Sequence, residues 1–187
     1  MSATAARTRA DAVRNRKRVI EAAAEVFREK GEAAVVPEIA ARAGVGKGTV
    51  YRCFPTKDHL VAAVASERIR WFEREARAAS EQDDAWAAFR VFMERVADAH
   101  CVDRGMFTTL SQANELPELL EARADAMDAV GALMERAIAQ GTMRADAQPV
   151  DLKVLLGGVA RSLLAAHQRD PAVWRRYVAL VAEALRA

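Results

Sequence analysis

Residues 43–60, AGVGKGTVYRCFPTKDHL, constrain the fold more than any other segment of the chain. Three glycines and one proline fall within these 18 residues and leave no apolar run long enough for a helix of ordinary length. Glycine commonly follows the last residue of a helix, and proline disfavours helix at the residue before it. The segment therefore predicts two short helices joined by a turn at Gly44.

Outside this segment, apolar residues recur at intervals of three and four, which is the period of a helix with one buried face. The sequence has no sustained alternation of Val, Ile and Thr and no Asn-Gly turn, the patterns that indicate strands. We predict an all-α fold of about nine helices after a flexible tail of residues 1–12. The first helix begins at Arg14 and ends before Gly31, and the others span about Val35–Arg42, Lys47–Cys53, Lys57–Ala78, 84–100, Arg104–Ser111, Pro117–Gln140, Val150–Gln168 and Pro171–Arg186.

The charge is unevenly distributed along the chain. Residues 1–60 carry 12 Lys or Arg against 7 Asp or Glu, whereas the other 127 residues carry 16 against 19. The excess of basic residues in residues 1–60 suggests a polyanionic partner, although chance clustering on solvated helices gives the same pattern. Two cysteines far apart in the sequence and in different predicted elements form no disulfide framework. The sequence has neither a signal peptide nor an apolar run of about 20 residues, so we expect a cytoplasmic protein without a membrane span.

The two short helices and their turn have the pattern of a helix-turn-helix, whose second helix enters the major groove of DNA. Gly48 carries no side chain, so the backbone there can approach phosphates, while Lys47 supplies a cation and Thr49 a hydroxyl and a methyl for a base edge. The start of the next helix presents unpaired N–H groups that form an anion site. The residues predicted to contact DNA are Gly46, Lys47, Gly48, Thr49, Tyr51, Arg52, Thr56 and Lys57.

Two further interpretations stay open at this point. The exposed residues of the second short helix are also compatible with an ordinary solvated helix face. The basic residues of the first helix either form an arm that reaches a flanking groove or only solvate that helix; they are Arg14, Arg16, Lys17 and Arg18.

The segments RVIEAAAEVFREKG and PEIAARAGVG, followed by the stretch quoted above, resemble the DNA-binding domain of the TetR family of bacterial transcriptional regulators. The resemblance covers residues 14–64 and depends on an ordered set of positions: Ile20, Ala23, Phe27, Gly31, Ile39, Ala40, Gly44, Val45, the run Gly48–Tyr51, Phe54 and the run Lys57–Leu60. Near the C-terminus, DLKVLLGGVARSLL and WRRYVALVAEALR are similar to the last two helices of an actinobacterial-type subgroup of that family.

The resemblance implies a domain organisation. Residues 13–57 form the DNA-binding domain, with the helix-turn-helix at about 35–54, and residues 58–187 form a ligand-binding and dimerisation body. The fourth helix connects the two, and the last two helices pair with those of a second copy. Two positions depart from the family: Cys53 stands where a histidine is usual, and the second helix starts in AAVVP, without the usual Thr or Ser cap.

Apolar side chains of the predicted body are expected to line a cavity between its helices, although most of them also suit an ordinary core. This pocket is predicted from Phe72, Trp86, Phe89, Met93, His100, Met106, Phe107, Met127, Val130 and Met134, with Arg90 and Arg123 as the charged residues that face it.

Two adjacent glycines in the middle of a predicted helix indicate a close approach by another helix, because glycine there costs about 1 kcal/mol relative to alanine. We place this pair in the dimer interface. The predicted interface consists of Leu156, Gly157, Gly158, Leu163, Trp174, Tyr177 and Val181.

Taken together, these features predict a homodimeric repressor of transcription that binds a palindromic double-stranded DNA operator and is released by an apolar or amphipathic small molecule. The alternative is a DNA-binding regulator without a small ligand, controlled by a protein partner or by oxidation of a cysteine. No nucleophile–base pair, carboxylate dyad or metal-ligand cluster stands at a workable spacing, so we predict neither an enzyme nor a cofactor nor a metal site.

Overall fold

The computed structural model describes residues 3–103 and 117–187. Within them the chain forms eight α-helices and a 3₁₀ turn at Gly31–Ala33, and the only β-type pairing is an isolated bridge between Met143 and Arg186. The helices are α1 (Ala3–Lys30), α2 (Val36–Ala43), α3 (Lys47–Cys53), α4 (Lys57–Ser80), α5 (Ala85–Val102), α6 (Pro117–Ala139), α7 (Pro149–Ala165) and α8 (Pro171–Ala184). The prediction of an all-α fold is confirmed, and the extra helix expected at Arg104–Ser111 lies outside the described residues. In the described ranges no helix is long and apolar enough to cross a membrane.

Helix α1 is longer at its N-terminus than the sequence pattern predicted. It begins at Ala3 rather than Arg14, so most of the segment expected to be a flexible tail is helical. The reason is local, because neither glycine nor proline occurs before Gly31 and the first turns are rich in alanine and arginine, which favour helix. At Gly31 the backbone takes a left-handed φ of 55°, and the helix ends there as predicted.

The described residues form two compact units, residues 3–67 with 117–120 and residues 68–103 with 121–187. The division falls inside α4, beyond the boundary between residues 57 and 58 that the resemblance implied. The reason is that Leu60, Val61 and Val64, in the first turns of α4, belong to the hydrophobic core of the first unit.

The core of the first unit lies among α1, α2, α3 and the start of α4. Val26, Phe27 and Ile39 are completely buried in it, and Val50 of α3 is 1% exposed. These residues recur at helical spacing on α1 and α2, so the two helices bury one face each. Because α2 and α3 are short, these two helices depend on packing against α1 for their stability.

The ends of α2 follow the predicted pattern. The residue before it, Val35, supplies no side-chain cap, and Pro37 occupies the first turn, where a missing N–H is harmless. After the helix, Gly44 adopts a left-handed conformation with φ of 63°, and the N–H of Val45 donates to the carbonyl of Ala40 at 3.0 Å. Since L-residues rarely adopt this φ, the glycine sets the angle at which α3 leaves α2.

In the second unit, α8 packs against both α5 and α7. The carboxylate of Asp84 caps α5 by accepting from the N–H of Ala87 at 2.9 Å. Arg175 of α8 donates to both carboxylate oxygens of Asp98 on α5, at 2.7 and 2.8 Å, and Trp174 is 1% exposed beside it. The buried indole and the bidentate pair together hold α8 on α5.

Candidate nucleic-acid interface

Helix α3 has one buried face and one face open to solvent. Val50 and, just after the helix, Phe54 are buried in the core of the first unit at 1% and 3% exposure. Lys47, Gly48, Tyr51 and Arg52 are exposed, and Thr49 is half-buried at the edge of the open face. The sequence-predicted contacts of α3 therefore lie together on one accessible surface.

Gly46 and Gly48 are not required by the packing of the chain itself. A Cβ built at either position would have no heavy atom within 4 Å, and neither residue has a left-handed φ. Gly46 is the N-cap of α3, whereas Gly48 lies inside the helix, where glycine is less stable than alanine by about 1 kcal/mol. The two glycines thus leave the backbone open on the side where an external partner can approach.

Two side-chain contacts organise the exposed face of α3. Nη2 of Arg52 donates to Oγ1 of Thr49 at 3.1 Å, and Nζ of Lys47 lies 5.7 Å from the centre of the Tyr51 ring. Both cations remain exposed. The face consequently presents two positive charges, a phenol and a hydroxyl within two helical turns, a suitable set for phosphate oxygens and base edges.

At the start of α4, Thr56 is a capping residue, and Lys57 makes a contact within the protomer. Oγ1 of Thr56 accepts from the N–H of His59 at 3.3 Å and lies 2.8 Å from Nδ1 of the same histidine. Nζ of Lys57 donates to the carbonyl of Glu32 at 2.9 Å, so this half-buried cation ties α4 to the turn after α1. A DNA contact by Lys57 requires that bond to be replaced.

A cluster of ion pairs joins α2 to α1 beside the helix-turn-helix. Arg42 donates to both carboxylate oxygens of Glu29, at 2.8 and 2.9 Å, and also to Glu25 at 3.4 Å. The hydrogen bond from Arg42 is the main reason that the pKa of Glu29 lies below its usual range. Sequence inspection missed this contact, because residues 13 positions apart on two helices carry no shared period.

Cys53 is half-buried and packs against the core of the first unit. Its position at the end of α3 suits a small side chain that fills space under the helix. Among residues 3–103 and 117–187, no group of three or more His, Cys, Asp or Glu residues is placed to bind a metal ion.

Five of the eight predicted pocket residues that the structure describes are buried in the second unit. Trp86, Phe89, Met93, Val130 and Met134 are at most 8% exposed, and the rings of Trp86 and Phe89 stack at 5.7 Å. Phe72, His100 and Met127 are half-buried, whereas Met106 and Phe107 lie outside the described residues. Arg90 is exposed, so the expectation that it faces the interior is wrong; at that point of α5 the apolar stripe faces inward and position 90 faces solvent.

The second unit encloses an ion pair between Arg68 and Asp103 that sequence reasoning missed. Nη2 of Arg68 lies 2.8 Å from Oδ2 of Asp103, and their side chains are only 19% and 12% exposed. The guanidinium of Arg68 also lies over the rings of Trp71 and Phe72, at 4.4 and 5.1 Å. Trp71 and Phe72 follow Arg68 by three and four positions on α4, and this spacing was the sequence feature that could have predicted the two contacts.

His100 completes this aromatic cluster. Its ring lies 5.6 Å from that of Phe72 and is stacked 6.2 Å from that of Trp174. Burial, and secondarily the positive charge of Arg68, lower the pKa of His100 to about 4. The imidazole is therefore neutral at physiological pH and behaves as a polar aromatic side chain.

Three of the predicted dimer residues are covered within their own chain. Leu163, Trp174 and Val181 are 8%, 1% and 7% exposed, because α5, α7 and α8 bury them together. Tyr177 is 40% exposed, and Leu156, Gly157 and Gly158 are half-buried. The structure adds apolar residues that the prediction lacked on the open faces of α7 and α8: Val150, Val154, Leu155 and Leu180, with exposures between 40% and 63%.

The fold and the open face of α3 define a helix-turn-helix protein of the class that regulates transcription. Residues 19–64 match the family model described as bacterial regulatory proteins of the tetR family, and residues 84–187 match the C-terminal domain of SbtR-like transcriptional regulators. The chain therefore belongs to the TetR family of DNA-binding transcriptional regulators, which are not a class of enzymes.

Solved structures of the same family are similar over nearly the whole chain. A TetR transcription regulatory protein from Mycobacterium vanbaalenii is 35% identical, with 96% of this chain and 99% of that one covered and a TM-score of 0.66. A TetR transcriptional regulator from Streptomyces coelicolor is 29% identical over 91% and 98%, with a TM-score of 0.70. SmeT, the repressor of a multidrug efflux pump in Stenotrophomonas maltophilia, shares the fold at 21% identity over 92% and 90%, with a TM-score of 0.67. Among curated proteins, none matches the sequence.

Proposed function

We propose that this protein is a homodimeric repressor that places α3 of each protomer in the major groove of a palindromic operator and leaves the DNA when a small molecule binds in the second unit. The observation that carries the proposal is the open face of α3, where the backbone at two glycines is unobstructed by any other part of the described chain. A cytoplasmic location follows from contact with DNA.

Each side chain on this face has a distinct proposed role. Lys47, Tyr51 and Arg52 contact phosphates, and they position the helix without reading sequence. Thr49 approaches a base edge with its hydroxyl or methyl group. Gly46 and Gly48 allow close approach of the backbone, and the start of α4 with Thr56 provides N–H donors for a further phosphate.

Two substitutions separate these roles. Lys47→Ala should weaken binding to every DNA sequence and flatten the salt dependence, whereas Thr49→Ala should change the preference among operator variants. Binding is measured by fluorescence anisotropy on a fragment from the region of the protein's own gene and on point-mutated copies of it. Arg90→Ala, which removes an exposed cation on α5, is the matched control for Lys47→Ala. Unchanged affinity and preference in both α3 variants would contradict the assignment of α3 as the reading helix.

The dimer is proposed to form through the open faces of α7 and α8. Val154 is 63% exposed and Leu180 54% exposed, and a Cβ on Gly158 would meet no heavy atom within 4 Å. Exposed apolar side chains on two neighbouring helices, together with a glycine that nothing in the protomer fills, suit the close packing of a second copy. A two-fold interface of this kind presents two α3 helices to successive major grooves.

Sedimentation velocity tests this interface. Val154→Glu and Gly158→Leu should shift the protein toward a monomer, the first by burying a charge in the interface and the second by preventing close helix approach. Val91→Glu is the matched control, because Val91 is a similarly exposed valine, at 49%, on α5. A Val154→Glu protein that sediments like wild type and like the control would refute the proposed face.

The effector is proposed to bind beside the half-buried aromatic cluster of Phe72 and His100. These aromatic rings, with the neutral imidazole, favour a largely apolar molecule with few polar groups. The fold is able to hold such a molecule, since SmeT forms a complex with triclosan. The effector must bind the DNA-incompetent conformation more tightly, because only differential affinity shifts the equilibrium.

A compound that releases the protein from DNA provides the test of this site. Phe72→Ala should raise the concentration needed for release while DNA affinity without the compound stays near wild type. Val91→Ala, at a 49% exposed position on α5, serves as the control for truncation of an apolar side chain. Equal potency of the compound on wild type and Phe72→Ala would place its binding site elsewhere.

A further inference from the structure

Four basic side chains lie close together on α1, and the structure separates them into two pairs. Arg14 is ion-paired with Asp11 on the same helix, and Lys17 lies 3.8 Å from Glu21. The charges of these two cations are therefore offset within α1 itself, as on an ordinary solvated helix face.

Arg16 and Arg18 instead lie against the helix-turn-helix. The guanidinium carbon of Arg16 is 5.0 Å from the centre of the Phe54 ring, just after the end of α3. Nη2 of Arg18 lies 2.7 Å from the position that a Cβ on Gly44 would take, at the turn before α3. The two arginines are exposed and stand near opposite ends of the reading helix.

The carboxylates around these two arginines are engaged elsewhere. Arg18 shares a groove with Glu21 and Glu25, but Glu21 is paired with Lys17, and Glu25 with Arg42 at 3.4 Å. In the described part of the chain, neither Arg16 nor Arg18 has a carboxylate within ion-pair distance. Their positive charge is therefore directed toward an external anion.

The contact between Arg16 and Phe54 also orients the arginine. A guanidinium stacked on an aromatic ring keeps the N–H groups of its edge available, and these donors fit a phosphate in a bidentate arrangement. A lysine in the same place would keep the charge but lose both the stacking and the fork of donors.

We infer that Arg16 and Arg18 bind phosphates of double-stranded DNA on either side of the groove that α3 enters, so that α1 supplies a second, sequence-independent part of the interface. This inference rests on the proposed function, DNA binding through α3. Arg14 and Lys17 take no part in it, although they lie within the same stretch of α1 and carry the same charge.

The experiment compares two double variants that remove the same charge. Arg16→Gln with Arg18→Gln is set against Arg14→Gln with Lys17→Gln, and each is titrated with a short mixed-sequence duplex over a series of NaCl concentrations. The slope of log K against log [NaCl] is negative, and each lost phosphate contact reduces its magnitude by about 0.9. The first double variant should therefore reduce the magnitude by about 3.6 in a dimer, and the second by far less. Equal slopes for the two double variants would overturn the inference, as would a wild-type slope for the first.

Two further variants keep the outcome interpretable. Arg16→Lys retains the charge and should leave the salt slope nearly unchanged while binding several-fold more weakly, which supplies a test even if the double variant loses helix content by circular dichroism. An Arg16→Lys protein with wild-type affinity would contradict the role of the guanidinium. Lys47→Ala reports on the proposed function itself: if it lowers affinity while the arginine variants do not, only the inference about α1 fails.

Discussion

Replacement of Gly48 by alanine should stabilise the fold and weaken DNA binding at the same time. The added methyl would meet no heavy atom within 4 Å, and the φ of Gly48 is not left-handed, so nothing in the described chain opposes it. Alanine in a helix is more stable than glycine by up to about 1 kcal/mol, which for a chain of this size raises Tm by about 2–4 °C. At the DNA, the methyl would hold the backbone away from a phosphate, and the loss of one charge-assisted hydrogen bond in each protomer costs about 1.5–3 kcal/mol, or roughly 10- to 150-fold in affinity, for each half-site.

The two effects are measured separately, by thermal unfolding followed with circular dichroism and by anisotropy with labelled DNA. Gly131→Ala is the control, because Gly131 lies inside α6 and its added Cβ would make only an ordinary contact, 3.4 Å from Cγ of Pro149. It should raise Tm by a similar amount and leave DNA affinity unchanged. A Gly48→Ala protein that binds DNA as tightly as wild type would refute the argument that this glycine serves the approach of DNA.

Three other substitutions test contacts inside the protomer. Arg42→Ala should lower Tm at neutral pH, and the difference from wild type should shrink as acid protonates Glu29 through its lowered pKa; thermal melts that differ equally at neutral and acid pH would contradict the ion pair. Burial lowers the pKa of His100 from 6.5 to about 4, so on acidification the unfolded chain takes up the proton before the folded chain does. The free energy of unfolding should therefore fall by up to about 3 kcal/mol as the pH is lowered from 6.5 to 4, and His100→Phe should remove that dependence in urea titrations. Gly44→Ala should cost about 1–2 kcal/mol, or about 2–8 °C in Tm, since φ at this position is 63° and alanine is strained there; an unchanged Tm would argue against the left-handed turn.

Local signals in the sequence were sufficient for the helix-turn-helix. Gly31, Gly44 and Pro55 act on the backbone at their own positions, so the C-terminal ends of α1, α2 and α3 were predicted to within one or two residues. The caps at Thr56 and Asp84 are equally local, since each side chain bonds to the chain only three residues away. The ordered residues of this segment are also specific enough to indicate the family without the tertiary structure.

Contacts between distant parts of the chain could not be predicted in the same way. Lys57 was expected to face DNA, yet it bonds to the carbonyl of Glu32, and the pair of Arg68 with Asp103 spans two helices. Helical period identifies residues that share a face but does not say what covers that face. For this reason the surroundings of individual charged side chains were visible only in the tertiary structure.

The last two helices, α7 and α8, show most clearly that helical period does not identify what covers an apolar face. Their apolar period correctly indicated a buried face, and the glycine pair indicated a close neighbour, but Trp174 and Val181 are covered by their own protomer while Val154 and Leu180 are not. Local backbone preferences act over a few residues, so they can be predicted from the sequence. Which of two apolar faces remains open depends on how α5, α7 and α8 pack, and only the tertiary structure decided it.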